Sequence, residues 1–403
     1  MENNLSLKKS QIDLAASGYS EKRLWSEIFP TINASASAGY TSALFSGDGF
    51  VFNDSGTRYS MGLGVNLGLN AGIPYSMKSI KLAHQNNILR YEDACNQLSI
   101  LITKRFYSLI AEKNNLLLLE EILNLAERQY ERSGVSFRNG LTGELALIQS
   151  KLSVENARYS LSAAGTAYAN NMGEFAAMLG IASGSTVMLL GEVNIVKIEA
   201  DAEALIRQHL PGRPDIASNR REIERLEYAE KQSALSGRAP SLNLSMEWRG
   251  TNFDPFTDSL SGTASLNIPI DPWIPGTARA QSFKRANDSV EKAKLDLAMT
   301  EDSAKTQIRS LAALLRNSWD SIVIARLSLE AAQRGYELTE QGFRNGTVEY
   351  LTLEDARNNM ANARQRLLQS ELSYFNMILD LSAALNVDWK KLIQTFGVSS
   401  EKE

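Results

Sequence analysis

The sequence predicts an α+β chain built from two copies of one unit, each a β-hairpin followed by a long coiled-coil helical hairpin. Three observations carry this reading. The chain repeats itself in register, its longest segments keep a seven-residue apolar step, and the segments before them alternate with a period of two.

The repeat is clearest at Phe137-Arg138-Asn139-Gly140, which returns as Phe343-Arg344-Asn345-Gly346 at an offset of 206. Under that offset Tyr130 falls on Tyr336, Leu147 on Leu353, Asn156-Ala157-Arg158 on Asn362-Ala363-Arg364, and Tyr168 on Tyr374. Upstream the offset is 210, placing Pro30 and Asn33 on Pro240 and Asn243 and the helix opening at Asn4 on the segment from Pro214. The expected organisation is therefore a first repeat over 1–186, a linker over 187–210, a second repeat over 211–386 and a short polar C-terminal tail over 387–403.

The first copy carries Ile88, Cys95, Ile102, Leu109, Leu116, Leu123, Tyr130 and Phe137, a strict seven-residue step; the second repeats it at Ile308, Leu315, Ile322, Leu329, Tyr336 and Phe343. A true period of seven held over many turns marks a coiled-coil seam with left-handed supercoiling. After each Phe-Arg-Asn-Gly the pattern resumes, from Leu147 and from Leu353, so helical hairpins are expected over about 74–180 and 276–385. Gly140 and Gly346 stand where the reversal needs a residue tolerant of positive φ. An arm of about 65 residues at about 1.5 Å each reaches on the order of 100 Å.

Strands are expected over about 31–41, 59–70, 241–250 and 260–270. Leu63, Val65, Leu67 and Leu69 alternate with Gly62, Gly64, Asn66, Gly68 and Asn70; Leu242, Leu244, Met246 and Trp248 alternate with Ser241, Asn243, Ser245 and Glu247. Such strands, apolar on one face and small or polar on the other, suit a membrane β-barrel, although a sandwich in water alternates in the same way. Four strands cannot close a membrane barrel, and an open edge in lipid leaves backbone groups unpaired, so a membrane reading requires shared barrels: eight strands from two chains or twelve from three. Tyr40, Phe45, Phe50, Phe52, Tyr59, Trp248, Phe253 and Phe256 bracket the strand turns as an interfacial girdle or as small external clusters.

Other classes lack their signals. A net charge of −4 shows no basic excess, so nucleic acid is not an expected partner. The single cysteine, Cys95, cannot form an intrachain disulfide, and His84 and His209 stand apart without the spacing of a zinc site, so no metal or cofactor is expected. No run of 18 apolar residues occurs. Phosphate-loop, zinc-protease and hydrolase motifs are missing, and no residue is a candidate catalyst; Gly62, Gly64 and Gly68 lie within one alternating strand and not in a dinucleotide-binding loop.

Arg213-Pro214-Asp215-Ile216 opening the second copy, Ala239-Pro240-Ser241-Leu242-Asn243-Leu244, and Phe343-Arg344-Asn345-Gly346-Thr347 followed by Tyr350-Leu351 and Asp355-Ala356 resemble the TolC family of outer-membrane efflux and secretion channels, and the resemblance covers nearly the whole chain. It implies a homotrimer whose twelve-stranded β-barrel lies in outer-membrane lipid and continues into a periplasmic α-helical barrel, with a signal peptide removed before residue 1. It implies a passive, non-enzymatic exit duct that meets a periplasmic adaptor protein and an inner-membrane transporter, or the corresponding component of type I protein secretion. A soluble coiled-coil interaction protein is the rival reading.

The resemblance also implies a pore gate at the periplasmic tip. Asp355 keeps one of the family's acidic rings, Thr352 stands where the other would be, Val348 replaces a latch arginine, and Glu354, Glu349 and Glu144 are nearby acids that could compensate. The tip turns Phe137, Arg138, Asn139, Gly140, Phe343, Arg344, Asn345 and Gly346 are the expected adaptor contacts.

Overall fold

The computed structural model describes residues 4–46, 49–181, 188–191, 195–251 and 256–398; within these, the side chains of residues 41–46, 49–56 and 398 are left aside. Phe45, Phe50, Phe52 and Phe253 of the expected girdle lie outside the described side chains.

The chain runs α1 (Leu5–Lys22), β1 (Thr31–Ser46), β2 (Gly49–Leu69), α2 (Ile73–Arg138), α3 (Glu144–Met178), β3 (Lys197–Ile198), α4 (Ala202–His209), α5 (Pro214–Arg238), β4 (Ser241–Thr251), β5 (Thr257–Asn267), α6 (Ala278–Arg344), α7 (Tyr350–Leu385), α8 (Trp389–Phe396) and β6 (Gly397–Val398). It forms two compact units, one of Met1–Gln11, Arg90–Ala217 and Met299–Glu403, the other of Ile12–Leu89 and Ser218–Ala298. Neither coincides with a sequence repeat. Each takes a part of both copies: β2 pairs with β4 in one unit, and Arg357 of α7 meets Ser153 of α3 in the other.

The first unit is helical. Its main core joins Ile308, Leu315 and Ile322 of α6 to Tyr374, Ile378, Leu381 and Leu385 of α7, with Ile198, Leu205, Ile206 and Leu392 added from the connecting elements. The α6 residues are the predicted seven-residue seam. Tyr374 anchors β3: its hydroxyl accepts from the Ile198 N–H at 2.9 Å and donates to the Val196 carbonyl at 3.1 Å. Burial raises its pKa above the ordinary phenol value. Separate clusters form around Leu109, Ile110, Phe175 and Leu189, and around Ala126, Val154 and Ala157.

Two expectations need correction here. Residues 387–403 were expected as a polar tail, but Trp389–Phe396 is helical, capped by Asp388 Oδ1 accepting from the Lys390 N–H at 2.8 Å, and Leu392 is buried. Trp389, Leu392, Ile393 and Phe396 follow helical spacing, a short amphipathic signal that overall polarity obscured. The stretch expected as a linker likewise contains α4, capped by Asp201, and β3, which pairs with β6.

The second unit holds one antiparallel sheet of order β1-β2-β4-β5, in which the hairpins of the two copies join through β2 and β4. Ala34, Leu63, Trp248 and Leu260 lie in one cross-strand row; Asn33, Gly64, Glu247 and Ser261 lie in the next. The apolar face to which the first row belongs is widely exposed at Leu63, Met246, Leu260 and Leu266. The opposite face is polar: Ser37 and Ser60 share a hydrogen bond of 2.7 Å, and Asn66 Nδ2 donates to Asn33 Oδ1 at 3.3 Å. A Cβ at Gly64 would sit 2.8 Å from Asn33 Oδ1, so a larger residue there would displace the Asn33 side chain.

β1 and β2 extend well past the expected 31–41 and 59–70. Register shifts between Tyr40 and Ser42 and between Ala43 and Phe45 displace the alternation by which a strand is recognised. β5 ends at Asn267, short of the expected 270, where Pro269, which lacks an N–H, precedes a 3₁₀ turn at Asp271–Trp273. Among the described residues no helix is long and apolar enough to cross a membrane.

Candidate functional site

The hairpin turns at the ends of α2 and α6 are built alike. Each helix ends in a Schellman motif: Leu141 N–H donates to Ser136 O at 2.9 Å and Gly140 N–H to Phe137 O at 3.0 Å, and Thr347 and Gly346 donate to Gly342 and Phe343 at 2.9 and 3.1 Å. Gly140 (φ 70°) and Gly346 (φ 73°) take the left-handed position that a side chain would strain. The Phe-Arg-Asn-Gly sequence is therefore a helix stop. Arg138, Asn139, Arg344 and Asn345 are exposed around it. Phe137 is also exposed, whereas Phe343 is half-buried against Tyr350, ring centroids 6.3 Å apart.

The start of α7 presents two faces. Thr352 and Asp355 lie three residues apart on one exposed face, with Glu349 exposed at the N-cap just before them. Glu144, in the first turn of α3, is exposed as well. The other face of α7 carries Tyr350, Leu353, Glu354 and Arg357 and is turned inward. Glu354 thus departs from the other expected gate acids: its side chain is 19% exposed and pairs with Arg357 at 3.3 Å.

Arg357 is the residue that sequence reasoning missed. Its side chain is only 9% exposed, its Nη2 donates to Ser153 Oγ of α3 at 2.8 Å, and its Nε has no hydrogen-bond partner. It follows Leu353 by four residues, so it stands in a seam position that heptad packing ordinarily fills with an apolar group. That misplaced charge was the available signal. The inward face borders a cavity of about 310 Å³ walled by α2, α6 and α7. Within it burial, reinforced by the Glu354 charge, pushes the Tyr350 phenol up to about 12, and burial also raises Tyr336.

Residues 205–387 match the outer membrane efflux protein family. The probable efflux pump outer membrane protein TtgC of Pseudomonas putida is 24% identical over 302 residues, 72% of this chain and 60% of that protein. The fold is shared with the CmeC outer membrane channel of Campylobacter jejuni (TM-score 0.73, 19% identity, covering 97% of this chain and 86% of that one) and with the outer membrane protein VceC of Vibrio cholerae (TM-score 0.73, 14% identity, covering 96% and 94%).

The second half of the chain thus resembles the outer membrane efflux protein family. The chain spans about 60% of the length of the curated relatives it matches. The family match covers the second repeat, including the α6–α7 turn and all of α7. Among the described residues, no group of three or more His, Cys, Asp or Glu could hold a metal ion.

Proposed function

We propose that the chain is one subunit of an outer-membrane exit duct of an efflux pump, a passive homotrimeric channel opening from the periplasm to the exterior. The observation that carries the reading is the four-stranded sheet. It exposes an apolar row on one face, keeps a polar opposite face, and leaves β1 and β5 without a further strand partner among the described residues. In lipid such edges must pair, and three copies supply a closed barrel of twelve strands with a water-filled interior.

In this reading the helical hairpins form the periplasmic α-barrel, and the turns at Gly140 and Gly346 meet a periplasmic adaptor protein that links the duct to an inner-membrane transporter. Asp355, Thr352 and Glu349 face the pore at its narrow end, with Glu144 close by in sequence to the first turn. Glu354, neutralised by Arg357, contributes structure instead of ring charge. The chain performs no covalent chemistry; energy comes from the transporter.

The molar mass of the detergent-extracted protein, by light scattering with detergent mass subtracted, tests this. Three chains per particle that are insoluble without detergent support the shared barrel. A monodisperse monomer soluble in water overturns it and leaves a coiled-coil interaction protein.

A further inference from the structure

We propose that the cavity between α2, α6 and α7 is a binding site for a small carboxylate with an apolar or aromatic body. Arg128, Arg132, Arg344 and Arg357 converge on this space, opposed by Glu340 and Glu354. Both acids are already engaged, Glu340 with Arg344 at 2.6 Å and Glu354 with Arg357 at 3.3 Å. Arg128 and Arg132, one helical turn apart on α2, make no ion pair or hydrogen bond with a described side chain, so the lining carries two uncompensated positive charges.

The independent observation is Arg357. A guanidinium nine-tenths buried, with an Nε–H that meets no acceptor, is costly, and the same side chain lines the cavity. A carboxylate fits the planar, forked donors of arginine, and the apolar wall formed by Leu125, Leu353 and Phe343 fits a hydrocarbon body. The volume of about 310 Å³ admits a molecule of the size of benzoate and sits at the small end of ligand pockets. The inference does not depend on the duct reading, since binding is measured whether the chain is a trimer in detergent or a soluble monomer.

The test is calorimetric titration of the full purified chain with benzoate, with its neutral analogue benzamide, and with inorganic phosphate. Expected are saturable benzoate binding, benzamide binding at least about ten-fold weaker, and an approximately ten-fold loss of benzoate affinity in the Arg128→Gln, Arg132→Gln double variant. Both substituted positions are exposed, so that variant keeps its fold, which circular dichroism checks. Arg357→Gln should abolish binding; should it fail to fold, the double variant still decides. Absence of saturable benzoate binding, equal affinity for benzamide, indifference to the double substitution, or binding of phosphate without benzoate would each overturn the proposal.

Discussion

Asn4 and Arg213 perform the same task at the starts of the two copies. Asn4 Nδ2 donates to the carbonyl of Met178 at 2.8 Å, and Arg213 Nη1 donates to the carbonyl of Ala384 at 2.9 Å. Met178 and Ala384 are equivalent under the offset of 206, so each copy ties the start of its first helix to the end of its hairpin. Different side chains meet the same demand because the last carbonyls of a helix have no partner within it.

Asn4 also caps α1, its Oδ1 accepting from Ser6 N–H at 2.9 Å and Leu7 N–H at 3.1 Å. Asn4→Ala removes the cap and the tie together, at an expected cost of about 1–2 kcal/mol. Amide hydrogen exchange at Ser6 and Leu7 reads this directly. Unchanged protection there would show that the cap contributes nothing.

Gly346 holds φ 73° with open space where a Cβ would stand, so only backbone strain opposes a side chain. Gly346→Ala should destabilise the α6–α7 turn by about 1 kcal/mol, whereas Gly165→Ala, inside α3 with equally open surroundings, should be neutral or slightly stabilising. Comparing the thermal midpoints of the two variants separates the effects. Equal shifts would remove the positive φ as the cause.

Asp355 is exposed on the outer face of α7 beside Thr352. If three copies face a pore, Asp355→Ala removes one carboxylate per subunit, raising leak conductance and lowering cation preference in planar bilayers, most visibly at low salt. Glu354→Gln should alter conductance less, because its carboxylate is held by Arg357. Unchanged conductance and selectivity in Asp355→Ala would place that residue outside the narrow end.

Tyr350 provides an alkaline signature. Its phenol is held up to about 12 against an ordinary value of 10.0, chiefly by burial, so the folded chain keeps this proton after the unfolded chain has released it. The stabilising difference is fully present below pH 10 and is lost as the pH rises from 10 through about 12. Stability against denaturant measured between pH 9 and 12 should fall less steeply in Tyr350→Phe than in the parent chain. Identical slopes would mean that Tyr350 ionises as freely folded as unfolded.

Much of the architecture was legible because it rests on local and periodic chemistry. The seven-residue seam through Ile308, Leu315 and Ile322 names the α6 core directly, and the alternation from Leu63 to Leu69 names the exposed row of β2. The Phe-Arg-Asn-Gly turns follow from the demand for positive φ at one residue, which glycine alone meets without strain. At the end of α7 that rule was satisfied by Asn386 (φ 52°) in place of Gly180 of the first copy, so the repeat persists in geometry after it is lost in residue type.

By itself, then, the sequence determined the duplicated unit, its helical and strand periods and its turns, since each is written in residues close along the chain. Only the tertiary structure decided which residues share a surface. It turned Glu354 inward to Arg357, brought Arg357 to Ser153 some 204 positions away, and gathered Arg128 and Arg132 beside them. It also recruited Leu392 from an outwardly polar segment into the core. Heptad spacing states that a helix has a packing face, but which neighbour covers that face, and whether a charge upon it is buried, depends on contacts between distant segments that no local period records.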